Sequence, residues 1–214
     1  MLNHNPRIVT DGLVLCLDAA NPKSYPGSGT TWFDLSGNGN DASIVGTNTY
    51  SANDLGKFDY RGSSQTSNYI RLPYQPLQQN AGDYTIIFWL QPQSAGTRYF
   101  HSVANSGSNN VQIIRIDSSI QSWNGGSAIS FTDNEIMQLT LVRSGSDTGV
   151  IYKNNISETA SSTLVDLSVV DSNGWILNQE QDSVEGGFSS SQNAYAAFMN
   201  VTMYNRALTE VEIK

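Results

Sequence analysis

At 214 residues the chain has the length of one domain, because all-β sandwiches run to roughly 250 residues without dividing. A net charge of −8, a pI near 4.5 and only 11 Lys and Arg residues exclude a basic nucleic-acid surface, which would need those residues in clusters. Apolar residues make up 38%, and no run approaches the roughly 18 needed to span a bilayer, so no membrane insertion is expected. Gly, Ser, Asn and Thr are abundant, as in sheet proteins with many turns. Cys16 is the single cysteine, so no internal disulfide can form, and its place within LVLCL predicts a small buried hydrophobe. The opening MLNHNPRIVTDG lacks the apolar core of a secretory signal, so a soluble chain is expected.

Residues 1–12 read as a polar arm that either frays or docks on a neighbouring subunit, and residues 13–214 as one domain. Residues 13–17 form an apolar run expected as a buried strand. Pro22, Pro26, Gly27 and Gly29 then dictate a loop, and Trp32, Phe33 and Leu35 return the chain to the core. SGNGND at 36–41 is turn chemistry, although Asp34, Asn38, Asn40 and Asp41 carry oxygens that could hold a cation.

Strands are expected at 57–60, 69–72 and 83–90. In the last of these Tyr84, Ile86, Phe88 and Leu90 share one face, and Thr85, Ile87 and Trp89 the other. Both faces are largely apolar, which places this strand mid-sandwich with a second layer or a covering loop outside it. Residues 98–103 and 111–117 predict a hairpin around ANSGSNN, followed by strands at 119–123, 128–131, 136–143 and 149–153. Residues 163–170 and 175–178 lead into an acidic loop, and 194–204 form the last long strand. Thr209 and Glu212 have capping-box spacing, so one short C-terminal helix is expected. The fold class is therefore all-β, a two-sheet antiparallel sandwich.

The stretch 176–192, ILNQEQDSVEGGFSSSQ, concentrates oxygen-bearing side chains as no other part of the chain does. If residues 175–181 form a strand, Glu180 and Asp182 leave it on one face, with Cα atoms roughly 6.5 Å apart. Two carboxylates so close need a cation, a shared proton or screening by water. Gly186 and Gly187 permit a sharp return that brings the Gln192 amide back toward the pair. The bland alternative makes Glu180 and Asp182 solvated loop acids and Gln192 an ordinary exposed amide. His4 and His101 are unaccompanied and support no metal or hydrolytic site.

QEQDS at 179–183, the double glycine, Phe188, and Ser191 with Gln192 resemble the calcium-binding loop of pentraxins, within the laminin-G-like branch of the concanavalin A-like sandwiches. The block at 12–46, with NPKSYPGSGTTW and DLSGNGN in order, resembles the opening of laminin-G-like domains in structural proteins of tailed bacteriophages. The ending FMNVTMYNRALTEVEI resembles the laminin-G terminus. The resemblance implies a jelly-roll fold. It also implies calcium ligands at the side chains of Glu180, Asp182 and Gln192, the main-chain oxygen of Gln181, and a hairpin pair that here is Asn109 and Asn110. Asn109 stands where the family has an Asp, and Ser189 where it usually has an acid that helps hold a second ion. One weakly held calcium is expected, near the roughly 10⁻⁴ to 10⁻³ M of extracellular modules.

Glu180, Asp182 and Glu185 also spell E-x-D-x-x-E, which resembles the catalytic signature of retaining glucanases on this fold. The polar Gln181 and Ser183, and the glycines that follow, fit that signature poorly. The leading expectation is a non-enzymatic virion module, a capsid decoration or a tail or fibre component, with calcium-assisted binding of cell-surface glycans. Its partners would be other virion proteins or further copies of the chain, on the particle surface or otherwise outside the cell. A purely structural subunit-clamping protein and a hydrolase using Glu180, Asp182 and Glu185 are the alternatives.

Overall fold

A computed structural model describes residues 8–47, 49–53, 55–62, 66–78, 82–94, 96–145, 147–155 and 158–214, and excludes the side chains at 109–110. Residues 1–7 of the expected arm, and His4 with them, lie outside the described residues. In chain order the strands are β1 (Leu13–Asp18), β2 (Thr31–Trp32), β3 (Ala42–Val45), β4 (Tyr50–Ser51), β5 (Lys57–Asp59), β6 (Tyr69–Arg71), β7 (Tyr84–Pro92) and β8 (Arg98–Asn105). They continue as β9 (Ser108–Ile116), β10 (Ser119–Ser122), β11 (Ile129–Ser130), β12 (Met137–Arg143), β13 (Gly149–Lys153), β14 (Glu158–Ser162), β15 (Trp175–Leu177) and β16 (Ala196–Tyr204). The first sheet has the order β14-β13-β12-β7-β16-β5-β4, with β1 also paired to β16. The second runs β11-β10-β9-β8-β15-β6-β3-β2. Both are antiparallel throughout and face each other as a jelly-roll sandwich.

Period-two patterning explains the core. On β7, Tyr84, Ile86, Phe88 and Leu90 point between the sheets, where Phe88 meets Phe100 of β8 edge-on at 5.5 Å. Trp32, Tyr25 and Phe58 close one end of the same core, with ring centroids 4.8 Å apart. The outer face of β7 is also covered. Ile87 packs with Val142, Tyr204, Leu208 and Ile213, so the short helix α2 (Glu210–Ile213) and Val9 supply the second layer expected there. The capping box forms at the start of that helix: the Glu212 carboxylate accepts from the Thr209 amide and hydroxyl, each at 2.9 Å.

Several expectations need correction. A second helical turn, α1 (Gln75–Gln78), was hidden by Pro76, which buries its ring there. Cys16 is half-buried, because it faces outward on β1 beside Thr202; burial pushes its thiol up. Residues 163–170 are irregular, and β8 and β9 join through only Ser106 and Gly107, so Asn109 and Asn110 belong to a strand and not to its turn.

The SGNGND stretch is an edge cap. Asp34 accepts from the amides of Cys16 (2.9 Å), Ser36 (2.9 Å) and Asn40 (3.0 Å), and Asn40 donates to the Val14 carbonyl at 2.8 Å. Its carboxylate serves the free edge of β1, which the turn reading explains without a cation. No helix among the described residues is long and apolar enough to cross a membrane.

Candidate functional site

The acidic stretch leaves the sheet earlier than a continuous strand would allow. β15 ends at Leu177, and Asn178 takes φ 77°, donating its amide to Phe100 O at 3.0 Å and its side-chain nitrogen to Asn68 O at 2.8 Å. Ala194 N donates back to Asn178 O at 2.9 Å, so residues 179–193 form an excursion pinned at its neck. Glu180 and Asp182 therefore lie on this excursion, and the strand geometry expected for them is replaced by loop geometry.

Three anchors fold the excursion over the outer face of the second sheet. The Gln181 amide nitrogen donates to Gly174 O (3.0 Å), Ser102 Oγ (3.2 Å) and Ser102 O (3.3 Å), and its oxygen accepts from Glu185 N at 2.8 Å. With its side chain committed, Gln181 can offer a cation its main-chain oxygen. At the tip, Asp182 N and Gly186 O pair at 3.0 Å. Glu185, at φ 53°, accepts from Tyr69 Oη at 2.9 Å and forms an ion pair with Arg71. Tyr69 in turn rests against Phe188, with ring centroids 4.9 Å apart. On the return limb Gln192 donates to Ser189 O and accepts from Tyr99 N, both at 3.0 Å, which leaves its side-chain amide as its contribution to a site.

Glu180 is 3% exposed, whereas Asp182 is exposed. Burial first and the Asp182 charge second push the Glu180 carboxyl above the usual carboxylate range. Tyr99, whose backbone is bound to Gln192, feels Glu180 as well: burial and then the Glu180 charge push its phenol up. The fold thus brings Glu180 and the Gln192 limb to Tyr99, with the Asp182 charge felt by Glu180.

Asn109 and Asn110 fall in β9 between the paired Ser108 and Gln112, against the stretch of β8 whose Val103 pairs with Trp175. Their side chains lie outside the described residues. Among the described residues no three His, Cys, Asp or Glu side chains gather. The donors present are two carboxylates with amide and carbonyl oxygens, which suit one hard cation held by few charges.

The E-x-D-x-x-E reading loses its strand, since Glu185 sits in the turn and is neutralised by Arg71. Beside the loop, Tyr99 stacks edge-on against Trp123 at 6.1 Å, and Arg115 lies over Trp123 at 5.7 Å. Trp123 is 51% exposed. The alternation Tyr69-Ile70-Arg71-Leu72 could have flagged Tyr69 and Arg71 as outward-facing.

A laminin-G family model, described as the concanavalin A-like lectin/glucanases superfamily, matches residues 64–214. The chain belongs to this laminin-G-like family. No curated protein matches the sequence. Among solved structures, this laminin-G-like chain is similar to a mutant Trypanosoma rangeli sialidase displaying trans-sialidase activity, at 15% identity and a TM-score of 0.63, covering 96% of this chain and 32% of that one. It is also similar to the binding domain of botulinum neurotoxin DC in complex with rat synaptotagmin II, at 15% identity and a TM-score of 0.63, covering 96% and 51%. A heptameric SAP-like pentraxin from Limulus polyphemus aligns at 19% identity and a TM-score of 0.48, covering 62% and 68%. The laminin-G-like chain thus spans about a third of the sialidases it resembles, and likeness at this identity speaks for the fold alone.

Proposed function

We propose that this laminin-G-like chain is a non-enzymatic adhesion or decoration module of a phage particle that binds surface glycans with the help of one weakly held calcium ion. The observation that carries the reading is the excursion at 179–193, which holds Glu180 buried next to the Asp182 charge and close enough to Tyr99 to raise its phenol, with Tyr99 in turn edge-on to Trp123. A buried carboxylate raised by a second one gains most from a divalent cation, and the exposed indole of Trp123, one ring beyond Tyr99, offers a sugar ring a flat apolar face. The virion setting is supported by the resemblance of residues 12–46 to phage structural domains. The non-enzymatic reading is supported by Glu185, whose pairing with Arg71 and Tyr69 removes it from any acid and nucleophile pair.

A glycan array probed with and without chelator tests this. Binding is expected in calcium and lost in EDTA, and Trp123→Ala is expected to weaken it roughly tenfold or more. Binding that ignores both the chelator and the substitution contradicts the reading and leaves subunit clamping as the role of the chain.

A further inference from the structure

The outer face of the first sheet carries a second feature, on the side of the sandwich away from the acidic loop. Four paired residues form a row across four strands: Asp18 of β1 opposite Asn200 of β16, Asn200 opposite Trp89 of β7, and Trp89 opposite Gln138 of β12. All four line one cavity of about 520 Å³. At the usual strand spacing of ~4.8 Å the row is roughly 14 Å long. Trp89 is 38% exposed, because α2 and its neighbours cover Ile87 but do not reach two residues further along β7.

A β-bulge makes the row. The register of β16 slips between Phe198 and Asn200, so Phe198 and Val201 both point into the core while Met199 and Asn200 both face out. Had the strand alternated regularly onward from Phe198, Asn200 would point inward.

The polar groups of the row are only partly used. Asn200 Oδ1 accepts from Thr202 at 3.0 Å, Gln138 Oε1 from Asn155 N at 3.3 Å, and Asp18 Oδ1 from Ala20 N at 2.9 Å. Among the described residues no partner is recorded for Asn200 Nδ2, Gln138 Nε2 or the other Asp18 oxygen. Two donors and one acceptor thus flank an exposed indole inside a cavity built on rigid strands.

We infer that this row is a cation-independent binding cleft for a neutral saccharide of two or more rings. A pyranose has one face of C–H groups that stacks on an indole, and ring hydroxyls that both accept from amides and donate to a carboxylate. The side chains lining the cleft include Asp18 and Glu212 against the single cation Lys214, and Arg206 nearby is tied to Glu212 and Asp11, so a phosphorylated or carboxylated ligand would meet an excess of negative charge.

The test follows the Trp89 indole N–H by NMR in the full chain, with EDTA present and Asp182→Ala as background, so that failure of the calcium site does not affect the outcome. Cellobiose, maltose and lactose are the probes. At least one is expected to shift the Trp89 signal saturably, and Asn200→Ala to weaken that binding roughly tenfold. Trp89→Ala, checked for folding by circular dichroism, is expected to abolish the heat of binding that titration calorimetry gives for the unaltered residue with the same probe. No saturable shift with any probe, or a shift unchanged by Asn200→Ala, overturns the inference. So does a Trp89 signal that moves on dilution or on deletion of residues 1–7, since a second copy or the arm would then fill the cleft.

Discussion

Alanine at position 187 is expected to dismantle the acidic loop while the sandwich stays folded. Gly187 takes φ 72°, and a Cβ placed there would run into the Cβ of Asp182 and lie 3.0 Å from its Cα. Neither obstacle can rotate away, because both belong to the chain that forms the other limb of the turn. Strain in the left-handed region and overlap with backbone together amount to about 2–4 kcal/mol. The excursion has no core of its own, so it should relieve that strain by opening, which separates Asp182 from Glu180. Gly186→Ala is the control. Its Cβ would meet only the Ser183 hydroxyl, at 2.7 Å, a side chain that can turn aside. Urea melts should therefore show a clear loss for Gly187→Ala and little for Gly186→Ala, and calcium should stabilise only the second. Equal behaviour of the two variants would contradict the loop geometry.

The second large effect comes from the core. His101 is fully buried between Phe88, Phe100 and Trp175, with ring centroids 5.5, 6.4 and 6.1 Å away, and among the described residues neither of its ring nitrogens has a hydrogen-bond partner. Burial alone lowers its pKa from 6.5 to about 3. An imidazole depressed in this way contributes stability that is complete above pH 6.5 and is lost as the pH falls toward 3, because the unfolded chain takes up a proton that the folded chain refuses. The slope is about 1.4 kcal/mol per pH unit in that window. Glu180 acts in the opposite sense: its carboxyl is raised, so its contribution is complete below 4.5 and is lost as the pH rises. His101→Leu isolates the histidine, since Glu180 is common to both proteins. The variant is expected to be about 1–2 kcal/mol more stable at neutral pH, where it removes an unsatisfied polar ring, and to lose the steep decline in acid. Parallel acid profiles for the two proteins would contradict the burial of His101.

The sheets were legible where a period of two ran uninterrupted. β7 and the β12–β13 hairpin were readable because their inward residues alternate without a break, β16 was readable from its long apolar run, and the spacing of Thr209 and Glu212 foretold the final helix. What escaped the sequence depends on single backbone angles or on distant partners. Asn178 ends β15 by turning left-handed, which an asparagine inside an otherwise strand-like run does not announce. Glu185 looked like a third acid until Arg71, 114 residues away, claimed it. Asp34 looked like a cation ligand until the amide of Cys16 on β1, the amides of Ser36 and Asn40 and the Ser36 hydroxyl claimed its carboxylate. The Trp89 cleft required a bulge at Met199, and a one-residue slip leaves no mark in composition or alternation. Of the site itself, the pair Glu180 and Asp182 and the glycine hinge were readable; the aromatic neighbours Tyr99 and Tyr69 were not, because they arrive from β8 and β6.

Titration calorimetry of calcium into the intact chain, alongside Asp182→Ala, addresses the central claim most directly. One ion per chain is expected, with a dissociation constant in the range of roughly 10⁻⁴ to 10⁻³ M, and no measurable heat is expected from the variant. Absence of calcium uptake by the unaltered chain, or equal uptake by both proteins, would contradict the claim that the Glu180–Asp182 bend holds a divalent cation.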